Sequence, residues 1–594
     1  MTHFSHITQK NLKNLSYFLG FILVSLSLYF IYIAYRGLDF TDESFYILNA
    51  ATNQKSFPAI CLFSYLAKPL WLLSFKSLFL YRVYGFLIHN IIAYFLAKKL
   101  YLFCTPLPLE KQALNYKVPF VLLLVMASNF YYAVSLVTPS YNWFAYVGTL
   151  IFFLGYLNLL LNPKSFSGCL FIALAGYLVL FAKPSGSALL LLLAVPLCFH
   201  KQRFMSLLIK CFPVLLGLFV LHHFLIQDLF AYYERLTMGF ALVRLTAQPH
   251  EALSLFRSLG SDIISLFKNI AFDPFNFVIL LGLVAALYYK KSKKISDVLL
   301  QRLLVYGVFL FFVYNYFSVF IAFISGNYLL RKPVFTLMGL FLLYAVLVVA
   351  IKGFKIEKNV QTKHLFSVLG LCFVLPFVAS FGTSNDLLTQ LMHAAIFWVA
   401  GFMFLSIIIS EQVNDAWPFY MGALFCVFLV VTQLLVSYQK PYRLAAAYSA
   451  QTESVELGFG GALKVDVATK NYIEKLQTLT THFERNKSTL LDMTGNTPGA
   501  NVIVGAEFTI FPWMINIRPH VSHYSETMLS ISSEETLKKA WIITKKNKEN
   551  SVRLFMKQVG IDFPADYVLL GELNRPVRDI KHLLYKPKLS VDAR

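Results

Sequence analysis

Long apolar runs separated by short polar clusters occupy the chain as far as residue 437. A helix needs about 20 apolar residues to cross a ~30 Å hydrocarbon layer, and where no water reaches the backbone only helices or closed barrels can span. The runs 15–36, 78–97, 118–137, 143–161, 168–182, 186–199, 204–227, 274–289, 303–325, 333–351, 365–381, 388–410 and 416–437 therefore predict thirteen membrane-spanning helices. The first run, about Leu15 to Ala34, is too long for a signal-peptide core and has no convincing cleavage site behind it, so it predicts a retained helix. After 437 the pattern changes. "ATKNYIEKLQTLTTHF" places Tyr472, Ile473, Leu476 and Leu479 at helical spacing, and "TLLDMTGNTPGANVIVGAEF" predicts a strand, a Pro-Gly turn and a second strand. The fold class that follows is mainly α: a polytopic bundle over 1–437 and a small α/β domain over 438–594.

The polar clusters orient this bundle. Cytoplasmic connections carry an excess of Lys and Arg. With Lys10 and Lys13 inside, the inner loops hold Lys98, Lys99, Lys111 and Lys117, then Lys164, then Lys201 and Arg203, then Lys290–Lys294, then Lys352–Lys363; only "SEQVNDAW" lacks cations. An odd number of crossings sends the tail to the opposite face, together with the first connection 37–75, the large connection 228–273 and the turns "TPSYN", "KPSG", "GNYLLRK" and "GTSND". Sites usually lie on such loops, held by a rigid scaffold.

Composition agrees with that picture and narrows the partners. The 594 residues are 58% hydrophobic, with a mean hydropathy of +0.62, outside the soluble range. The net charge of +22 lies in the short basic loops, so it marks topology and contact with lipid headgroups rather than nucleic acid. None of the seven cysteines falls after residue 437, and they form neither a disulfide framework nor zinc spacing. There is no D-x-D, Walker A or G-x-G-x-x-G element, and "GFGG" at 458–461 does not match the nucleotide pattern; nucleotide-sugar and ATP chemistry are disfavoured.

The stretch "GLDFTDESFYILNA" sets Asp39, Asp42 and Glu43 beside the membrane edge. Asp42, Phe45, Tyr46 and Asn49 share one helical face, as of an amphipathic helix lying on the membrane. Spacing alone favours a capping role, with Thr41 or Asp42 as N-cap and Glu43 complementing the helix dipole. Lys68 lies among apolar residues of the same connection, where snorkelling and function weigh about equally. Arg82 enters the second span, where a charge must be paired or face a cavity. Lys183, Arg331, Lys332 and Arg443 are outer-face cations for which anchoring at the membrane edge competes with phosphate binding. Tyr141 and Asn142 in "TPSYN", and Asn385 in "GTSND", carry hydrogen-bonding groups at turns that also read as helix starts. His250 beside Glu251 is a further candidate for substrate binding; His222, His223, His520 and His523 lack a third ligand at metal spacing. Asp466, Asp492, Glu507 and Trp513 of the tail are able to meet a carbohydrate, although surface charge and core packing explain them equally.

The D-E-x-x-Y-like element in "TDESFYIL", the Lys-Pro at Lys68 and the arginine at the start of the second helix together resemble the GT-C membrane glycosyltransferases, in the branch of protein O-mannosyltransferases and aminoarabinose transferases of lipid A. The likeness is one of pattern over the first ~100 residues and of architecture beyond them; the single proline after Lys68 departs from the family's fuller K-P-P. The resemblance implies a polyprenyl-phosphate sugar as donor and a hydroxyl of an extracytoplasmic glycan, lipid or protein as acceptor. It implies Asp42, with Glu43 as the alternative, as general base, and Lys68 and Arg82 at the donor phosphate, with structural pairing to the acids of the first connection as the alternative role for Arg82; Tyr46, Tyr141, Asn142, His250 and Asn385 stand as substrate-binding candidates. A single displacement would invert the anomeric centre. No cofactor is required by the pattern, and a divalent cation is compatible with it. The implied location is a bacterial inner membrane with the active face in the periplasm. A transporter or flippase of a lipid-linked sugar, and a polymerase or ligase of lipid-linked oligosaccharides, are the alternatives.

Overall fold

The computed structural model describes residues 2–52, 62–104, 115–133, 136–244, 364–382, 387–413, 416–507, 532–577 and 580–588, with isolated helical positions between 260 and 345. The expected spans 274–289, 303–325 and 333–351 fall almost entirely outside the described residues, and so do His250, Arg331, Lys332, Asn385 and Trp513.

The apolar runs form helices where they are described. They are α1 (Thr2–Ala34), α2 (Asp42–Ala51), α3 (Ser64–Leu73), α4 (Leu78–Cys104), α5 (Lys117–Ser128), α6 (Tyr141–Leu161), α7 (Phe166–Ala182), α8 (Pro184–Cys198), α9 (Lys201–Leu225), α10 (Leu229–Arg244), α11 (Leu365–Ser380), α12 (Leu387–Met392), α13 (Ile396–Val413) and α14 (Trp417–Gln439). Five of them, α1, α4, α6, α9 and α14, are long and apolar enough to cross a membrane. Burial separates their roles. In α6, 94% of the apolar window is inside the protein, against 22% in α1 and 11% in α9, so α6 is the axis of the bundle and the other two present their apolar faces outward. Phe21, Leu28 and Phe224 are exposed on these outer faces, as in a membrane protein, where lipid makes outward apolar surface favourable.

Two glycines let α6 and α7 approach closely. A Cβ on Gly155 of α6 would lie 2.9 Å from the Gly168 carbonyl of α7, and one on Gly168 would lie 2.8 Å from Leu159, so this pair approaches backbone to backbone. Two expected spans are interrupted. The run 118–137 leaves the α-helix at Ser128 and tightens into a 3₁₀ turn over Asn129–Ala133. The run 388–410 breaks between α12 and α13 at His393–Ala395.

The tail contains β1 (Glu453–Leu457) and β2 (Gly461–Val465) as an antiparallel pair, and a four-stranded sheet of β3 (Leu490–Asp492), β4 (Trp541–Lys545), β5 (Tyr567–Asn574) and β6 (Lys581–Pro587) in the order β3-β4-β6-β5. β3 and β4 are parallel and the other neighbours antiparallel. Its helices are α15 (Val467–Leu479), α16 (Gly499–Val504), α17 (Glu534–Lys539) and α18 (Glu549–Gln558). Tyr472, Ile473 and Leu476 form the buried face of α15, as their spacing predicts. The second expected strand is instead α16. The run "NVIV" is too short for period to separate strand from helix; Pro498, at φ −58° and ψ −15°, turns the chain into the helical region, and Gly505, at φ 70°, ends the helix.

The tail is seated on the first connection. Gly37 N–H donates to the Lys464 carbonyl (2.8 Å), Lys464 N–H to Tyr35 (3.0 Å), Leu78 N–H to Gly460 (2.9 Å) and Gly499 N–H to Phe40 (2.9 Å). Tail and first connection thus share one end of the bundle.

Candidate active site

The site grows from the end of α1. A helix leaves its last carbonyls without partners inside the helix. Arg82, on the second turn of α4, answers them: Nη1 donates to the carbonyls of Ala34 (2.8 Å) and Arg36 (3.1 Å), and Nη2 to that of Gly37 (2.8 Å). Its remaining N–H groups go to Glu43 Oε1, from Nη2 at 2.6 Å and Nε at 3.1 Å, with Thr138 Oγ1 also 3.1 Å from Nε. All five guanidinium hydrogens are therefore used. Glu43 accepts the Thr138 hydroxyl on Oε1 and the Asp39 N–H on Oε2 (3.1 Å). The Arg82 and Glu43 side chains are 1% and 3% exposed, so the pair is a buried clamp holding α1, α2, α4 and the loop before α6 together. Every Arg82 donor is thus engaged within the clamp, which is the pairing with the first-connection acids that stands as the alternative to a phosphate role.

Asp39 caps α2, in place of Thr41 or Asp42. Its carboxylate accepts the N–H groups of Thr41 (3.0 Å) and Glu43 (3.2 Å) and the Thr41 hydroxyl, whereas the Thr41 side chain makes no capping bond. Burial, reinforced by the neighbouring Asp42, pushes Asp39 up to about 7, against the Thr41 hydrogen bonds that favour its charged form.

Asp42 remains on the wetter side of the helix. Its carboxylate accepts the Tyr442 hydroxyl (2.8 Å) and pairs with Arg443 Nη1 (3.0 Å), and its side chain is 17% exposed. Arg443 is itself 43% exposed, bonds Thr41 Oγ1 (2.7 Å) and has a left-handed backbone at φ 54°. Burial lowers the Arg443 guanidinium, but Asp42 and Tyr442 outweigh it and hold it above its ordinary value. Burial and Asp42 push the Tyr442 hydroxyl up, so it stays a donor.

A row of aromatic rings leads inward from Asp42. Tyr46, one turn along α2, lies 5.9 Å from Tyr141 and 5.7 Å from Phe63, ring to ring. Lys183 Nζ is 5.7 Å from the Tyr141 ring centre and donates to the Ala379 carbonyl (2.8 Å). Ser140 caps α6, so "TPSYN" is a helix start, and the buried Asn142 Oδ1 beside it meets no donor among the described residues. Lys68 is half-buried further along α3, which Phe63 immediately precedes. α2 is buried on most sides, between bundle and tail, rather than lying amphipathically on a surface. Asp466 and Asp492 cap their own tail segments, on Thr469 and on Thr494 and Thr497.

A cavity of about 10 Å³ between Glu43, Arg82, Tyr442 and Tyr448 has room for one water. Among the described residues no three His, Cys, Asp or Glu side chains converge on a metal position. Sequence reasoning missed Asp39 as the cap, and Tyr442, Tyr448 and Thr138 as contacts of the acidic stretch. "PYRLAAAYSAQ", which contains two of them, was the available signal.

Fold and site define a mainly helical chain with apolar helices able to span a membrane, an acidic connection at one end and an α/β tail clasping it. No protein-family model matches this chain, and no curated protein is similar to it in sequence.

Proposed function

We propose that the protein is an integral-membrane inverting glycosyltransferase that moves a sugar from a polyprenyl-phosphate donor to the hydroxyl of a glycan, lipid or protein outside the cytoplasm, in a bacterial inner membrane. The observation that carries this reading is the division of labour among the three carboxylates. Asp39 and Glu43 are buried and spent on capping and on Arg82, while Asp42 keeps contact with solvent and has a half-exposed cation beside it.

In the reaction, Asp42 takes the proton of the acceptor hydroxyl as that oxygen bonds to the anomeric carbon, and the bond from that carbon to the lipid phosphate breaks on the opposite face. Negative charge then builds on the departing monoester, and a cation aimed at it lowers the barrier. Arg443 suits this role because it already bridges Asp42 and Thr41: turning to the phosphate releases the carboxylate for the proton. Tyr46, Tyr141 and Asn142 offer stacking and hydrogen-bonding surface for the sugar, with Lys183 behind them.

The test is conversion of a polyprenyl-phosphate sugar and acceptor to glycosylated product by the purified protein in detergent, with mass spectrometry of lipids and glycans from cells with and without it. Product formed without a sealed membrane supports transfer; lipid-linked sugar that only changes leaflet in vesicles favours a flippase.

A further inference from the structure

The short helix α3, ten residues from Ser64 to Leu73, is apolar on nearly every side; Lys68 is its one charge, and it holds no carboxylate or amide side chain. Ser64, Ala67, Leu70 and Trp71 are buried against the rest of the protein. The opposite side is apolar as well. Leu66, Pro69 and Leu73 follow i, i+3, i+7 offsets along it, with Leu72 beside them, and Pro69, Leu72 and Leu73 are exposed. A helix this apolar belongs in a core or in a membrane. At 1.5 Å per residue it is about 15 Å long, short of the ~30 Å that a span requires.

The turn after α3 extends this ridge. Phe75 and Lys76 are both left-handed, at φ 55° and 60°, which is rare for a bulky side chain. The Lys76 N–H and the Ser74 hydroxyl both donate to the Trp71 carbonyl (3.1 and 2.7 Å), and the Ser77 N–H to that of Ser74 (3.0 Å), so the end of α3 holds the conformation in place. It turns an apolar ring outward: Phe75 is 80% exposed, two residues after Leu73 at 67%.

At its other end α3 joins the outward face of the bundle. The Leu62 N–H donates to the Phe181 carbonyl in the last turn of α7 (3.0 Å). Tyr65 and Leu66 pack against the cluster of Leu62, Tyr177 and Phe181, and so do Leu218 and Phe219 of α9. α9 is long and apolar enough to span, is 11% buried over its apolar window, and exposes Leu216, Val220 and Phe224. The ridge of α3 thus continues the outward apolar surface of α9.

We propose that α3 and the Phe75 turn lie in the membrane leaflet on the tail's side, parallel to the surface, with Leu66, Pro69, Leu72, Leu73 and Phe75 among the lipid chains. A helix in the interface buries its apolar face ~5–10 Å into the boundary between headgroups and chains, and that contact removes apolar surface from water. Lys68 and Lys76 reach the headgroup layer along their own apolar stems. The anchor also fixes a height. Phe63, just before α3, lies 5.7 Å from Tyr46 of α2, ring to ring, so the leaflet sets the level of the acidic connection.

The test places a tryptophan on the ridge of the full-length protein in lipid nanodiscs, as Leu73→Trp and, separately, Phe75→Trp. Both side chains are exposed, so the substitutions leave the packing intact, and wild type supplies the emission of the six native tryptophans to be subtracted. Two quenchers are compared: phosphatidylcholine brominated on the upper part of its acyl chains, and iodide in the buffer. The expected result, at both positions, is a larger loss of the added emission to brominated lipid than to iodide. Equal or greater loss to iodide at either position would place the ridge in water, and emission that neither quencher reaches would place it under a second copy or another protein; each of these would overturn the proposal. The readout needs no turnover, so it stands or falls separately from the transferase test.

Discussion

Removing the Arg82 guanidinium tests the clamp that fixes the acidic connection. In Arg82→Met the stem keeps its packing, but Glu43, 3% exposed, loses its counter-charge, and the carbonyls of Ala34, Arg36 and Gly37 lose their donors. Breaking one partner of a buried ion pair costs ~3–5 kcal/mol, and each carbonyl left unsatisfied adds ~1–3 kcal/mol where water does not reach it. The expected loss is therefore at least ~4 kcal/mol, large against the usual ~1 kcal/mol of a point substitution. Thermal unfolding in detergent, followed by intrinsic fluorescence, reads it as a lowered midpoint. The double variant Arg82→Met/Glu43→Leu removes the uncompensated charge and recovers part of the loss, but the three carbonyls remain, so recovery is incomplete. An Arg82→Met protein as stable as wild type, or a double variant no better than the single one, would refute the clamp.

Two further outcomes follow from neighbouring contacts. Gly499→Val places a Cβ 2.8 Å from Phe40 Cδ1 and 2.9 Å from its Cα, an overpacking worth ~1–3 kcal/mol at the seam between tail and bundle; limited proteolysis should release the tail faster than from wild type, and equal rates would contradict the seam. Asp39 is raised in the folded protein to about 7 from 3.8, so between those pH values the folded state holds a proton that the unfolded state has lost. Its contribution is neutral below about pH 4, falls as pH rises to about 7 and is constant above. Asp39→Asn should flatten that part of the melting profile, and a profile identical to wild type would remove Asp39 from the account.

The helices were legible because a long apolar run buries its backbone polar groups best as a helix: 143–161 became α6 and 168–182 became α7 within two residues at the boundaries, although among the described residues only five helices are long and apolar enough to cross a membrane. Neither interruption, at Asn129 or at His393, carries a proline or glycine to announce it. α16 was misread because four apolar residues fit either period. In the site, spacing identified the acidic stretch and a charge in α4 that needed a partner. It could not say which carboxylate that partner was, since Asp42 and Glu43 are adjacent and only the path of the loop turns Glu43 inward. The contact between Asp42 and Tyr442 joins residues 400 apart in the chain, beyond the reach of any local pattern. Asp39 was hidden by convention: with Thr41 and Asp42 beside the helix start, the residue three positions before it was not the expected cap.

Under the proposed transfer reaction, Asp42 is the carboxylate that takes the proton. The most direct measurement is the single-turnover rate of sugar transfer by Asp42→Asn in detergent, set beside its melting temperature. A rate lowered by about 100-fold or more, in the range of lost general-base catalysis, with the melting temperature near that of wild type, is the predicted result. Transfer at close to the wild-type rate would contradict it.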